Sequence, residues 1–276
     1  MSTSETPDST GGDASPAGLT DGLLVDLSDG LLTVTLNRPE SLNSLTAPML
    51  TGLADVLERA ATDPRVRVVR LGGAGRGFSS GAGIGAGAAG GAADPVDTLH
   101  AANRAVRAIV ALPRPVVAAV HGPAAGVGVS LALACDLVLA SDKAFFMLAF
   151  TKIGLMPDGG ASALVAAAVG RARAMRMALL AERVSAAEAL DWGLVSAVYP
   201  AERFDAEVAA VLGGLTAGPV RSLTNTKRAV NAATLTEFEA ALARETEGQT
   251  DLLSANDFRE GIRAFQERRT PTFGDT

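Results

Sequence analysis

Val116-Val117-Ala118-Ala119-Val120, followed by His121-Gly122-Pro123-Ala124-Ala125-Gly126-Val127-Gly128-Val129-Ser130, decides the fold class of this chain. The first five residues form a short apolar run rich in valine, which suits a buried strand. The next ten are small, and they lead through Ala134 to a second strand-like run, Asp136-Leu137-Val138-Leu139-Ala140. Strand, short helix, strand is the order this implies, and it belongs to an α/β domain.

The same alternation extends upstream. Leu99, Ala102, Val106, Ile109 and Val110 recur at helical spacing over 97–111, and Val66 to Leu71 reads as a strand. Met49, Leu50, Leu53, Val56, Leu57 and Ala60 mark an amphipathic helix, with Thr46 as its N-cap and Pro48 near its start. Asp21-Gly22 and Asp29-Gly30 bracket alternating runs that predict a β-hairpin. Downstream, 159–192 reads as helices, with Ser185 and Glu188 in a capping-box pattern. A last strand is expected over 194–199, and the chain is helical from Arg203 on. Thr234 and Glu237 form a second capping-box pattern, expected to open a helix to about Leu253, and a final helix is expected from about Asn256 to Arg268.

Composition narrows the function. The chain has 276 residues, 48% hydrophobic, enough for a sizeable core. Its formal net charge is −6 and it has no basic block, which argues against nucleic acid or a membrane as the main partner. Two histidines, His100 and His121, and one cysteine, Cys135, leave no set for a zinc site and no internal disulfide; no metal is expected, and a cytoplasmic location is. Residues 1–19 lack the basic start and apolar stretch of a signal peptide and read as a disordered tail. No apolar run is long enough to span a bilayer.

Residues 72–93 are rich in glycine and alanine. Gly81, Gly83 and Ala86 fit a dinucleotide-binding spacing, G-x-G-x-x-A, after a strand. The residues that follow, Gly87-Ala88-Ala89-Gly90-Gly91, are poor helix material, and Asn103 rather than an acid stands about where the ribose partner belongs. That argues against a dinucleotide. A plain surface loop is one alternative. The other is a loop whose glycines let a ligand carbonyl approach main-chain N–H groups. The 121–130 segment, where a strand feeds a helix N-terminus, is a second such loop, and two donors from separate segments would make an oxyanion hole. Small residues there also suit close helix–sheet packing.

Taken together, the motifs resemble the enoyl-CoA hydratase/isomerase, or crotonase, family, from about Leu23 to Phe273. The matching stretches are Asn37-Arg38-Pro39-Glu40-Ser41-Leu42-Asn43-Ser44-Leu45, Gly77-Phe78-Ser79-Ser80-Gly81-Ala82-Gly83-Ile84, the 121–128 loop with Cys135-Asp136, Ile153 to Gly160, Ser185 to Val195, and the terminal Ala264-Phe265 with Arg268, Arg269, Pro271 and Phe273. The resemblance implies a spiral of ββα units over 20–200, a helical C-terminal trimerisation region over 201–276, and homotrimers or dimers of trimers. It implies an acyl-CoA substrate, with coenzyme A entering as part of the substrate and no separate cofactor. It carries the two oxyanion donors onto the backbone of Ala82 and Val127, and contacts to coenzyme A onto Leu42, Ser80, Ala82, Gly83, Ile84, Phe265 and Arg268.

Departures from the family pattern bear on the reaction. The two glutamates that hydratases of the family use fall on Ser130 and Phe150, neither of which is a base at neutral pH. Gly83 replaces the loop's usual aspartate. Val127 replaces a usual glycine, and a β-branched residue tolerates positive φ poorly. Asp158 matches the acid of one isomerase branch and of the ring-epoxide isomerases. The expected reaction is therefore a double-bond shift in an enoyl-CoA, with Asp158 moving the proton and the oxyanion hole holding the enolate. The alternatives are hydration or another reaction of the family, such as thioester hydrolysis or decarboxylation, and, in another class, a non-catalytic acyl-CoA-binding subunit. Asp158 also suits a helix N-cap, which would turn its carboxylate away from chemistry. Of the rest, His121 reads as a structural hydrogen-bonding residue, Cys135 as a buried hydrophobe, Asp136 as a backbone partner, and Asp94 and Asp97 as helix-start acids. Lys227 is either a phosphate contact or a solvated helix residue.

Overall fold

The computed structural model describes residues 22–83 and 94–275. The 1–19 segment and residues 84–93 of the glycine-rich stretch, Ile84 among them, lie outside the described residues. The hairpin forms as read: β1 (Leu23–Ser28) pairs antiparallel with β2 (Leu31–Leu36) across Asp29-Gly30. After a 3-10 turn at Pro39–Ser41, helix α1 (Ala47–Thr62) is capped by Thr46, whose hydroxyl accepts from Met49 N–H at 3.4 Å. Then follow β3 (Val68–Gly73), α2 (Pro95–Ala111), β4 (Val116–Val120), β5 (Pro123–Ala125), α3 (Val127–Ala134), β6 (Leu137–Ser141) and β7 (Phe145–Met147). A second 3-10 turn at Ala149–Ile153 leads to α4 (Ala161–Leu180), β8 (Val184–Ser185), α5 (Ala186–Trp192) and β9 (Ala197–Tyr199). Four helices close the chain: α6 (Phe204–Ala217), α7 (Val220–Thr234), α8 (Phe238–Ser254) and α9 (Asn256–Glu267).

The main sheet has the order β1-β2-β3-β4-β6-β9, and every pairing after the hairpin is parallel. Alternation along its strands separates two apolar layers. Val69, Leu71, Val116, Ala118, Val120, Val138 and Ala140 face the large core with α1, α2 and α3, whereas Val68, Val117, Ala119 and Leu139 pack against Phe204, Val208 and Leu212 of α6. Burial of all five β4 residues follows from this two-sided cover. A second sheet, β5-β7-β8, was not anticipated. Its strands are two or three residues long, too short to leave a readable period.

Two expectations fail here. Thr234 opens no helix: it is the last residue of α7, and its hydroxyl donates to Val230 O at 2.8 Å. Glu237 precedes α8 without a side-chain cap. Lys227 is neither solvated nor free for a phosphate. Its ammonium is buried, 2.9 Å from Asp136 Oδ2, and donates to Ile109 O at 2.9 Å and Arg114 O at 3.2 Å, so its three protons are taken. Asp136 Oδ2 also accepts from Val116 N–H at 2.7 Å, and the pair ties α7 to the sheet. The capping box on α5 does form, with Ser185 and Glu188 bonding each other's backbone N–H.

Candidate active site

β2, β3 and β4 lie side by side and run the same way, so the segments leaving their carboxyl ends emerge together. Open α/β sheets bind ligands at that edge. The buried amide of Asn43 staples the first two segments: Arg38 N–H donates to its Oδ1 at 2.9 Å, and its Nδ2 donates to Ala74 O and Gly77 O at 2.8 Å. Ser80 N–H donates to Leu42 O at 2.8 Å and the Ser80 hydroxyl to Ser41 O at 2.9 Å. Leu45 donates its N–H to Gly81 O and accepts from Gly83 N–H at 3.1 Å. This short parallel pairing uses the groups on either side of Ala82 and turns Ala82 N–H away from Leu45.

The third segment joins from the other side. Phe78 and Ser79 donate to Pro123 O, and Ala125 N–H donates to Ser79 O at 2.9 Å. His121 Nε2 hydrogen-bonds Gly75 O at 2.9 Å, a structural role as expected. Gly81 and Gly126 then meet face to face. Both have positive φ, +89° and +54°, and a Cβ on Gly81 would sit 2.8 Å from Ala125 O. The positive-φ residue is thus Gly126, and Val127 is an ordinary first residue of α3. Ala82 and Val127 each follow one of these touching glycines. Among the described residues neither of their N–H groups has an acceptor.

The Pro157-Asp158-Gly159-Gly160 corner adjoins α3. Ser130 Oγ donates to Asp158 O at 2.7 Å, and a Cβ at Gly159 would lie 3.1 Å from both Val127 Cγ2 and Ser130 Cβ. The Asp158 carboxyl is buried. Its Oδ2 accepts from Gln249 Nε2 at 2.8 Å, while Oδ1 has no partner. Burial pushes its pKa up to about 7, reinforced by the Glu245 charge and opposed by the Gln249 bond. A carboxyl in that range can take and return a proton at neutral pH.

The helix-cap alternative for Asp158 is overturned, because the donors at the start of α4 are already used. Glu245 accepts from Gly160 N–H at 2.6 Å, from Ser162 N–H at 2.8 Å and from the Ser162 hydroxyl. Ser130 is a tether, and Phe150 is buried, its ring tip 3.9 Å from where a Gly126 Cβ would be. Neither is a base. Leu42, Ser80, Ala82, Gly83, Val127 and Asp158 are therefore gathered at one edge. Phe265 and Arg268 are not tied to it: the Phe265 ring is 61% exposed, and Arg268 caps the end of α9 through its backbone.

Gln249 and Glu245 went unread in the sequence. The run Arg244-Glu245-Thr246-Glu247 looks like a solvated face. One signal was present: Phe238, Ala241, Leu242, Glu245 and Gln249 follow one helical stripe, and all five are buried.

The enoyl-CoA hydratase/isomerase family model matches residues 26–276. The chain is 42% identical over 248 residues to a protein of Rhodobacter capsulatus named "Probable enoyl-CoA hydratase", covering 90% of this chain and 96% of that one. It is 37% identical over 257 residues to the 1,2-epoxyphenylacetyl-CoA isomerase of Escherichia coli, covering 91% and 97%. The crystal structure of an enoyl-CoA hydratase from Mycobacterium avium subsp. paratuberculosis superposes with a TM-score of 0.87 at 66% identity, covering 92% of this chain and 99% of that one.

Proposed function

Because this chain belongs to the enoyl-CoA hydratase/isomerase family, we propose that it acts on an acyl-CoA and shifts a double bond in an enoyl-CoA, with Asp158 as the acid/base. The observation that carries this reading is the Asp158 carboxyl: buried, raised to about 7, held at one oxygen by Gln249 and unpartnered at the other. Asp158 takes a proton from C2 of a 3-enoyl-CoA and returns it at C4. Between the two transfers the thioester oxygen carries the enolate charge, facing Ala82 and Val127 N–H. Two preorganised donors stabilise that charge where it develops. The N-terminus of α3 adds its dipole. No other cofactor is needed, since coenzyme A arrives with the substrate. The reading keeps the trimeric assembly and the contacts of Phe265 and Arg268 with coenzyme A that the family resemblance implies.

Hydration is the second reading, favoured by the names of the Rhodobacter protein and of the Mycobacterium structure. Against it stand Ser130, whose hydroxyl is spent on Asp158 O, and Phe150. Purified protein assayed on crotonyl-CoA and 3-hexenoyl-CoA, wild type beside Asp158→Asn, separates the two. The expected result is isomerisation of the 3-enoyl substrate with little hydration, lost by about 10²–10⁴-fold in the variant. Robust hydration that survives Asp158→Asn overturns the reading.

A further inference from the structure

We propose that α8 is the positioning element of the acid: Gln249 aims the Asp158 carboxyl, and Glu245 occupies the start of α4 so that this carboxyl stays free for the proton. The inference rests on the reading of Asp158 as acid/base, and it assigns that work to side chains 87 and 91 positions further along the chain.

The Gln249 amide can sit only one way round. Met156 N–H, which can only donate, reaches Gln249 Oε1 at 3.1 Å, so Nε2 must face Asp158 Oδ2. The acid is left with Oδ1 as its one unpartnered oxygen. Glu245 solves a different problem. An aspartate just before a helix is drawn to cap it, since the free N–H groups and the dipole there favour a carboxylate. Glu245, reaching across from α8, fills that role at Gly160 and Ser162.

The two residues also pull the protonation of Asp158 in opposite directions. The Gln249 bond favours the carboxylate, whereas the nearby charge of Glu245 favours the acid. Other groups facing the corner are the hydroxyls of Ser130 from α3 and Ser162 from α4. Among the described residues Glu245 is the charge that acts on Asp158, and Arg244 acts in turn on Glu245.

The test is a pH titration of the Asp158 carboxyl by carbon-13 NMR in aspartate-labelled protein, its signal identified by loss in Asp158→Asn. Gln249→Met should raise the midpoint by about one pH unit, the worth of a hydrogen bond to a charged group. Glu245→Gln should lower it. In the same variants the pH profile of kcat on 3-hexenoyl-CoA should move with the midpoint, with KM nearly unchanged. A purely structural role would lower thermal stability and leave the midpoint in place, and unchanged midpoints in both variants overturn the proposal. If Glu245→Gln does not fold, the Gln249→Met titration decides alone. Moving midpoints in a protein that isomerises nothing would uphold the positioning role and remove the proposed reaction instead.

Discussion

The two halves of the candidate site are built from different material. The half proposed to hold the oxyanion, 77–83 with 121–127, is main chain: Ala82 and Val127 have N–H groups without an acceptor among the described residues, and side chains enter only to hold the loops. The acid half, 157–160, is made of side chains, and its shape depends on a helix near the other end of the sequence. Sheet topology supplies the first, because parallel neighbours β3 and β4 must release their chains at the same edge. Nothing comparable supplies the second. Its carboxyl is held by one amide and stripped of water, a state that costs stability and persists because the surrounding packing fixes it.

Among variants that keep Asp158, breaking the backbone half should give the largest effect. Gly81→Val places a β-branched side chain at φ +89° against Ala125 O, which moves the Ala82 donor. A loss of about 10²–10³-fold in kcat is expected, the usual cost of an oxyanion donor. Ala82→Ser, which keeps the N–H, should stay close to wild type. Equal losses in both would mean that side chains matter in this half after all.

The acid half should reveal itself in stability as well as in rate. The folded protein holds the Asp158 proton up to about pH 7, whereas an ordinary aspartate releases it near 3.8. The native state therefore binds the extra proton between those values. Its stability is best at the acid end of that window and falls as pH rises to 7. Asp158→Asn removes this loss. Denaturant melts should find the variant more stable than wild type by about 4 kcal/mol at pH 8, with the gap closing toward pH 4. A gap of constant size would show that the site is strained by something other than charge.

The smallest effect contrasts two helix starts. Ser185→Ala removes a local capping box and should cost about 1 kcal/mol in thermal unfolding. Thr234→Ala, at a look-alike motif inside α7, should cost almost nothing. A matching loss at Thr234 would return that motif to the role its spacing suggested.

Legibility followed the range of each interaction. The hairpin, α1 with its Thr46 cap and the α5 capping box rest on contacts a few residues apart, and all were readable; β4 was readable from its unbroken apolar run. So were the two loops, because their glycines are demanded by the backbone itself. Lys227 was misread because its partners, Asp136, Ile109 and Arg114, are remote in sequence and close only in space. Thr234 was misread because a capping pattern carries no record of where the previous helix ends. The β5-β7-β8 sheet escaped notice because each strand is shorter than the pattern that would betray it.

By itself, then, the sequence determined the alternation of strands and helices, the two glycine-hinged loops and the carboxylate at 158. Only the tertiary structure decided what that carboxylate does with its two oxygens. An aspartate before a helix caps it unless another group arrives first. Whether Glu245 arrives, and whether Gln249 turns its N–H toward Asp158, depends on how α8 packs across α4. That packing is set by the burial of an entire helix face, which no local stretch of residues encodes.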